Sequence, residues 1–229
     1  MLILRPEPGA SETAARARAM GLRAVVAPLF NIRPLAWQPV EAAAFDAILL
    51  TSANAARHAG DGAKAYLRLP CYAVGEATAA AADQAGFHDV RTGSCDAAAA
   101  LAMAAAQGAR RVLHLCGKDH LPVEHPHLLV ERRMVYEAVA AGALPEPARE
   151  TLAAGAVVLV HSARAGALLA SLAQHRSRAR IAAISASAAK AAGEGWAQVA
   201  VAAAPRDQPL LELAADLCKI GRPGETEWE

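Results

Sequence analysis

Runs of four or five apolar residues alternate along this chain with longer alanine-rich stretches, and small or hydroxyl-bearing residues close most of the runs. The short runs have the length of strands, and the alanine-rich stretches have the propensity to form the helices that cover them. The pattern predicts strands at Leu2–Leu4, Arg23–Ala27, Ala47–Leu50, Cys71–Val74, Val112–Leu115, Met134–Ala138, Ala156–Val160 and Ile181–Ile184, with weaker ones near Asp89–Thr92 and Gln198–Ala202. Helices are predicted at Ser11–Met20, with Ser11 as cap and Gly21 as stop, then at Ala53–Ala59, Ala77–Ala85, Ala97–Gln107, Arg164–Ala173, Ala188–Ala192 and Pro209–Lys219. Alternation of this density argues an α/β fold of parallel sheets covered on both faces, where ligands collect at the carboxyl ends of the strands.

The pattern repeats. A shift of 110 residues carries ILLTSANAA (Ile48–Ala56) onto VLVHSARAG (Val158–Gly166), setting Ser52 over Ser162, and carries Gly75 onto Ser185. The same shift carries the strands near Leu2 and Ala24 onto those near Val112 and Met134. Several landmarks keeping one offset argue two similar α/β units. Two proline-bearing stretches, Asn31–Pro39 and Ala141–Pro147, are equivalent points of the repeat and read as linkers. If the chain crosses between lobes there, residues 1–33 and 148–220 form one discontinuous lobe, residues 38–141 form the other, and 221–229 is a disordered tail.

Composition narrows the function. A 229-residue chain with 55% hydrophobic residues can furnish the cores of one large or two small domains. A net charge of +1 and 4% aromatics give no argument for nucleic acid. No apolar run approaches a membrane span, and no signal peptide leads the chain, which places it in the cytoplasm. Cys71, Cys95, Cys116 and Cys218 show no paired spacing and read as reduced, structural thiols. His120, His125 and His127 lie near Asp119 and Glu124, but their spacing fits no standard zinc pattern, so no metal is expected. Glycine-rich phosphate loops and a G-x-S-x-G elbow are lacking, which argues against a nucleotide-using transferase.

Candidate chemistry sits at the strand ends. Ser52, Thr78, Ser162 and Ser187 each follow an apolar strand and precede a helix, beside glycine or serine at 75 and 185. Helix starts carry unpartnered N–H groups and favour anions, so several starts turned toward one cleft suit a polyanion. Separate helix capping explains the same hydroxyls equally simply. Tyr136 is one of three tyrosines and falls within a predicted strand.

TSANA at Thr51–Ala55, YAVGEATAAAADQAGF at Tyr72–Phe87, VLHLCGKD at Val112–Asp119, VYEA at Val135–Ala138, VVLVHSARA at Val157–Ala165 and IAAISASAAKAA at Ile181–Ala192 together resemble the uroporphyrinogen-III synthase family, from Leu2 to about Leu217. The resemblance implies two parallel-sheet α/β lobes joined by a two-stranded connector, with the active site in the inter-lobe cleft. It implies a cyclising hydro-lyase, a carbon–oxygen lyase that converts hydroxymethylbilane to uroporphyrinogen III with inversion of the last pyrrole ring and loss of water. Neither metal nor organic cofactor is implied. The implied partner is this small-molecule substrate, a linear tetrapyrrole with eight carboxylates, acted on by a monomer that has room for transient contact with the preceding pathway enzyme. Neither nucleic acid nor membrane is implied.

By the same resemblance, Tyr136 assists departure of water, and Ser52, Gly75, Thr78, Ser162, Ser185 and Ser187 hold acetate or propionate arms. Ser187 stands where many members carry threonine. Arg5 either pairs with a substrate carboxylate or serves the structure at its strand end. The segment after Gly117 departs from the family: HLPVEHPHLLVE replaces a leucine-bearing helix, which leaves a substrate contact from Lys118 open. The rival reading is a non-catalytic two-lobed binder of small anionic ligands.

Overall fold

The computed structural model describes residues 1–93, 96–174 and 176–220. Cys95 and the expected tail at 221–229 lie outside the described residues. In chain order the elements are β1 (Leu2–Ile3), α1 (Gly9–Ala19), β2 (Val25–Val26), β3 (Phe30–Pro34), β4 (Ala47–Leu50), α2 (Ala53–His58), β5 (Cys71–Val74), α3 (Glu76–Gln84), β6 (Val90–Gly93), α4 (Ala97–Ala106), β7 (Arg111–Gly117), β8 (Leu129–Ala140), α5 (Glu146–Ala153), β9 (Val157–Val160), α6 (Ala163–Leu172), β10 (Arg180–Ala183), α7 (Ala186–Ala192), β11 (Gln198–Val201) and α8 (Asp207–Ile220). Short 3-10 turns occupy Ala42–Ala44 and Gly60–Tyr66.

The chain divides into two compact units. One is Met1–Asn31 with the chain from Ala140 onward; the other is Ile32–Val139. The first carries a five-stranded sheet in the order β11-β10-β9-β1-β2, with every neighbouring pair parallel. The other sheet runs β3-β8-β7-β4-β5-β6 and is parallel from β8 to β6. β3 runs antiparallel to β8, with Leu35 N–H donating to Val135 O and Ala141 N–H donating to Leu29 O. The two orders correspond strand for strand under the shift of 110, β2-β1-β9-β10-β11 matching β8-β7-β4-β5-β6. The expected parallel α/β fold is therefore present, and the repeat is visible in its topology.

Burial on both faces explains why the central strands are uninterrupted apolar runs. In β4 successive side chains point to opposite faces: Ile48 and Leu50 pack with Leu113, Leu115 and the α2–α3 alanines, whereas Ala47 and Leu49 pack with Val112, Leu101 and Ala100 of α4. In the other unit, Ile3, Leu159 and Ala182 pack against Ala10, Ala14 and Ala17 of α1 and Leu210, Leu211 and Ala214 of α8.

Three expectations change. Ser11 does not cap α1, because Glu7 takes that role: its Oε2 accepts the Ser11 N–H at 3.0 Å and its Oε1 accepts the Ser11 hydroxyl at 2.9 Å. The linker stretch from Asn31 contributes most of β3, and the stretch ending at Pro147 opens α5 at Glu146. The strand expected at Met134–Ala138 extends from Leu129 to Ala140, since Glu131, Arg132 and Arg133 join it with half-buried side chains. The proline-bearing segment after β7 is a loop, as its sequence predicts: residues 118–128 form turns and one isolated bridge between His125 and Leu128, where the equivalent place in the first unit holds α1. Pro122 and Pro126 remove donors that a helix there would need.

Candidate active site

Every candidate substrate-binding residue, Arg5, Ser52, Gly75, Thr78, Ser162, Ser185 and Ser187, lies in a turn at the carboxyl end of a parallel strand or in the first turn of the helix that follows it. Extended backbone at Ser52, Ser162 and Ser185 starts α2, α6 and α7, and each hydroxyl accepts an N–H of its own first turn: Asn54 at 3.2 Å, Ala165 at 3.1 Å and Ala188 at 3.2 Å. These three serines are helix caps. Ser187 lies inside α7, exposed, with its Oγ 3.0 Å from Ser185 Oγ.

α3 begins differently. Its cap is Gly75, at φ +80° and ψ 155°, a conformation open to glycine almost alone, and no side chain caps the helix. The N–H groups of Thr78 and Ala79 bond to Gly75 O. Thr78 is 5% exposed, and its hydroxyl makes no capping bond to the helix. Thr78 therefore does not cap its helix. The N–H groups ahead of it, at Glu76 and Ala77, precede the first intrahelical donor and lie at the positive end of the helix dipole.

Tyr136 stands at the same edge of this sheet. It lies beside Gly117, the last residue of β7, and its half-buried ring packs on the Ile48–Leu115 core with the His58 ring 6.3 Å away, tilted by 40°. Lys118 N–H donates to Tyr136 O at 2.9 Å, while Lys118 Nζ pairs with Glu137 at 3.2 Å. Burial holds the His58 imidazole below its usual pKa, and Arg57 pushes the same way.

Arg5 is engaged within its own unit. Its Nη1 lies 3.2 Å from Thr13 Oγ1 and 3.3 Å from Asp207 Oδ1, with the guanidinium packed over Gly9. Asp207 also accepts from Thr13 Oγ1 at 2.8 Å, Arg16 Nε at 2.8 Å and His161 Nε2 at 3.0 Å. Burial alone would raise the Asp207 pKa, but the bonds from His161, Thr13 and Arg16 outweigh it and hold the carboxyl well below the usual range. Burial lowers the His161 pKa despite its carboxylate partner, to which Nε2 donates. Sequence reasoning missed this cluster, because its members are separated by up to 202 residues. The only local signal was a histidine closing the VVLV run.

A second missed residue is His114. It is wholly buried in β7, with Nε2 3.0 Å from the hydroxyl of Thr51, the residue before the Ser52 cap. Burial, reinforced by His120 and Arg132, lowers its pKa to about 4. Because the folded value lies below the unfolded one near 6.5, the unfolded state binds more protons between those values, and stability falls as pH drops through that window. We expect His114 to cost about 3 kcal/mol of stability between pH 6.5 and 4. Urea midpoints across that range should fall less steeply in His114→Gln than in the wild type; equal slopes would refute the assignment.

The histidines after Gly117 serve the local chain. His120 Nδ1 meets Gly117 O at 3.0 Å, and His125 Nδ1 accepts the His127 N–H at 3.3 Å. Among the described residues no group of three or more His, Cys, Asp or Glu side chains is placed to hold a metal ion. Burial raises the Cys71 thiol to about 12 and the Cys116 thiol to about 11, which makes both unreactive. No helix among the described residues is long and apolar enough to cross a membrane.

No curated protein matches the chain. Among solved structures, uroporphyrinogen-III synthetase from Helicobacter pylori superposes with a TM-score of 0.66 at 16% identity, covering 94% of this chain and 98% of that one. A mutant uroporphyrinogen III synthase from the extremely thermophilic bacterium Thermus thermophilus gives a TM-score of 0.53 at 19% identity, covering 95% and 98%. At such identities the likeness establishes the fold. The family model described as Uroporphyrinogen-III synthase HemD matches residues 11–212, and the chain therefore belongs to the uroporphyrinogen-III synthase family of hydro-lyases.

Proposed function

We propose how this chain carries out the reaction of its family, the cyclisation of hydroxymethylbilane to uroporphyrinogen III. The Tyr136 hydroxyl donates a hydrogen bond to the departing hydroxyl of the substrate and acts as its general acid. The unclaimed N–H groups of Glu76 and Ala77, the conformation of Gly75 and the Thr78 hydroxyl receive one acid arm. Ser52, Ser162, Ser185 and Ser187 border further arms. The three capping serines retain acceptor and donor capacity beyond the bond each already makes. Arg5 supports the strand ends of its own unit through Asp207 rather than by direct contact with substrate.

The observation that carries the reading is the start of α3, where a helix end without a side-chain cap and a largely buried threonine coincide at the sheet edge that also bears Tyr136. One helix start contributes only about 0.3–1 kcal/mol toward a carboxylate, so eight substrate carboxylates require several such places. We further propose that the arms are shared between the strand ends of two lobes joined by the two-stranded β3–β8 connector, and that the protein acts as a cytoplasmic monomer without metal or organic cofactor.

Loss of water yields an azafulvene that closes spontaneously to the type I isomer, so the protein must hold the bilane folded for attack by the substituted carbon of the last ring. The test is to supply fresh hydroxymethylbilane, oxidise the products and separate the type I and type III porphyrins. Type III above a protein-free control is expected. Type I alone, from folded protein, would overturn the reading in favour of a non-catalytic anion binder.

A further inference from the structure

Gly117 ends β7 in a way its sequence neighbours do not explain. The strand reads RVLHLCG, every position from Val112 to Gly117 is buried, and a glycine there weakens a strand that is otherwise densely packed. Its φ lies outside the left-handed region, so backbone conformation does not demand glycine. Space does. A Cβ built on Gly117 would stand 2.6 Å from Tyr136 Cζ, 2.8 Å from its hydroxyl oxygen and 2.9 Å from Cε2. The phenol ring lies directly over the glycine.

The ring arrives there through a register shift. β7 and β8 pair regularly up to Cys116 opposite Met134, and then Gly117 stands opposite Tyr136, leaving Val135 as the extra residue. In an unbroken strand Val135 and Tyr136 would point to opposite faces. Here both pack against one core cluster, so the bulge turns Tyr136 onto the face that carries α2. The bond from Lys118 N–H to Tyr136 O closes the irregular pairing at 2.9 Å, and the His58 ring flanks the phenol.

We infer that Gly117 and the Val135 bulge form a seat that positions the Tyr136 hydroxyl, making Gly117 a positioning residue for the reaction proposed above. This rests on the assignment of Tyr136 as the acid. A methyl group at 117 displaces the ring, and the hydroxyl at its far end moves with it.

The experiment combines kinetics with a direct view of the ring. Gly117→Ala is expected to lower kcat roughly 10- to 100-fold, about as much as Tyr136→Phe, with KM changed by less than about threefold. In a Tyr136→Ala background, where no ring remains to displace, Gly117→Ala should change kcat by less than about twofold. The protein has three tyrosines, so 3-fluorotyrosine labelling gives resolvable fluorine resonances, with that of Tyr136 assigned by its loss in Tyr136→Phe; it should shift in Gly117→Ala while the other two stay. If Gly117→Ala fails to fold, Gly117→Ala/Tyr136→Ala should recover the Tm of Tyr136→Ala. An unmoved Tyr136 resonance, an equal loss of kcat in both backgrounds, or no recovery in the double variant would each overturn the seat. Absence of type III product from the wild type would instead remove the role of Tyr136 and leave the fluorine result to judge the geometry alone.

Discussion

Tyr136→Phe should lower kcat about 10- to 100-fold and leave measurable turnover, at or below the low end of what a positioned acid contributes. The leaving hydroxyl departs from a bilane that already loses water unaided, so the acid has only part of the barrier to remove. Phenylalanine keeps the ring over Gly117 and beside His58, so the fold should hold. Selection of the type III isomer should survive, because it depends on how the bilane is folded rather than on proton donation. Steady-state kinetics with isomer analysis decides the matter. Complete loss from a folded variant would give the phenol a larger share than this ranking allows, and an unchanged kcat would remove it from the chemistry.

The second large effect concerns Asp207. Its carboxylate joins the end of β1 through Arg5, α1 through Thr13 and Arg16, and the end of β9 through His161. Asp207→Asn keeps the shape but leaves Arg5 without its counter-charge and weakens the acceptor for a wholly buried Thr13. The Arg16 side chain is 45% exposed, so water compensates much of its loss. The expected cost is about 3 kcal/mol, or about 10 °C in Tm for a chain of this size. The pH dependence has a definite sign. The folded pKa of Asp207 is depressed, so its contribution is complete above the unfolded value near 3.9 and is lost as pH falls through the lower folded value. The Tm difference between wild type and variant should thus be constant from pH 5 to 7 and should narrow below about pH 4. A variant as stable as the wild type would show that the cluster is ornamental to folding.

What could be read from sequence followed burial. β4, β5 and β9 were legible as AILL, CYAV and VVLV because both faces of each strand meet helices, and the shift of 110 exposed the repeat before any contact was known. β8 was half hidden, since Glu131–Arg133 break the apolar run with charged side chains that the structure leaves half-buried, Arg132 donating to Val123 O and Arg133 pairing with Glu131. β3 was masked by Pro34, tolerable on an edge strand. At the site, Ser52, Ser162 and Ser185 could be recognised as strand-end hydroxyls, but whether Thr78 capped its helix depended on the dihedrals of Gly75. The partners of Arg5, the burial of His114 and the bulge before Tyr136 arise from pairings between distant segments, which local spacing does not encode.

The unequal way in which the two units draw on the chain bears on how the protein is made. The Ile32–Val139 unit is contiguous and can close its sheet once β8 has left the ribosome. β1 and α1 are synthesised before the rest of their unit, yet β1 lacks β9, its neighbour in the sheet, until Val157–Val160 appear. At roughly 5–20 residues per second, the amino-terminal segment waits several seconds or more with its apolar faces uncovered. The earliest part of the chain is thus among the last to become native, and that interval is when a chaperone would find the most to hold.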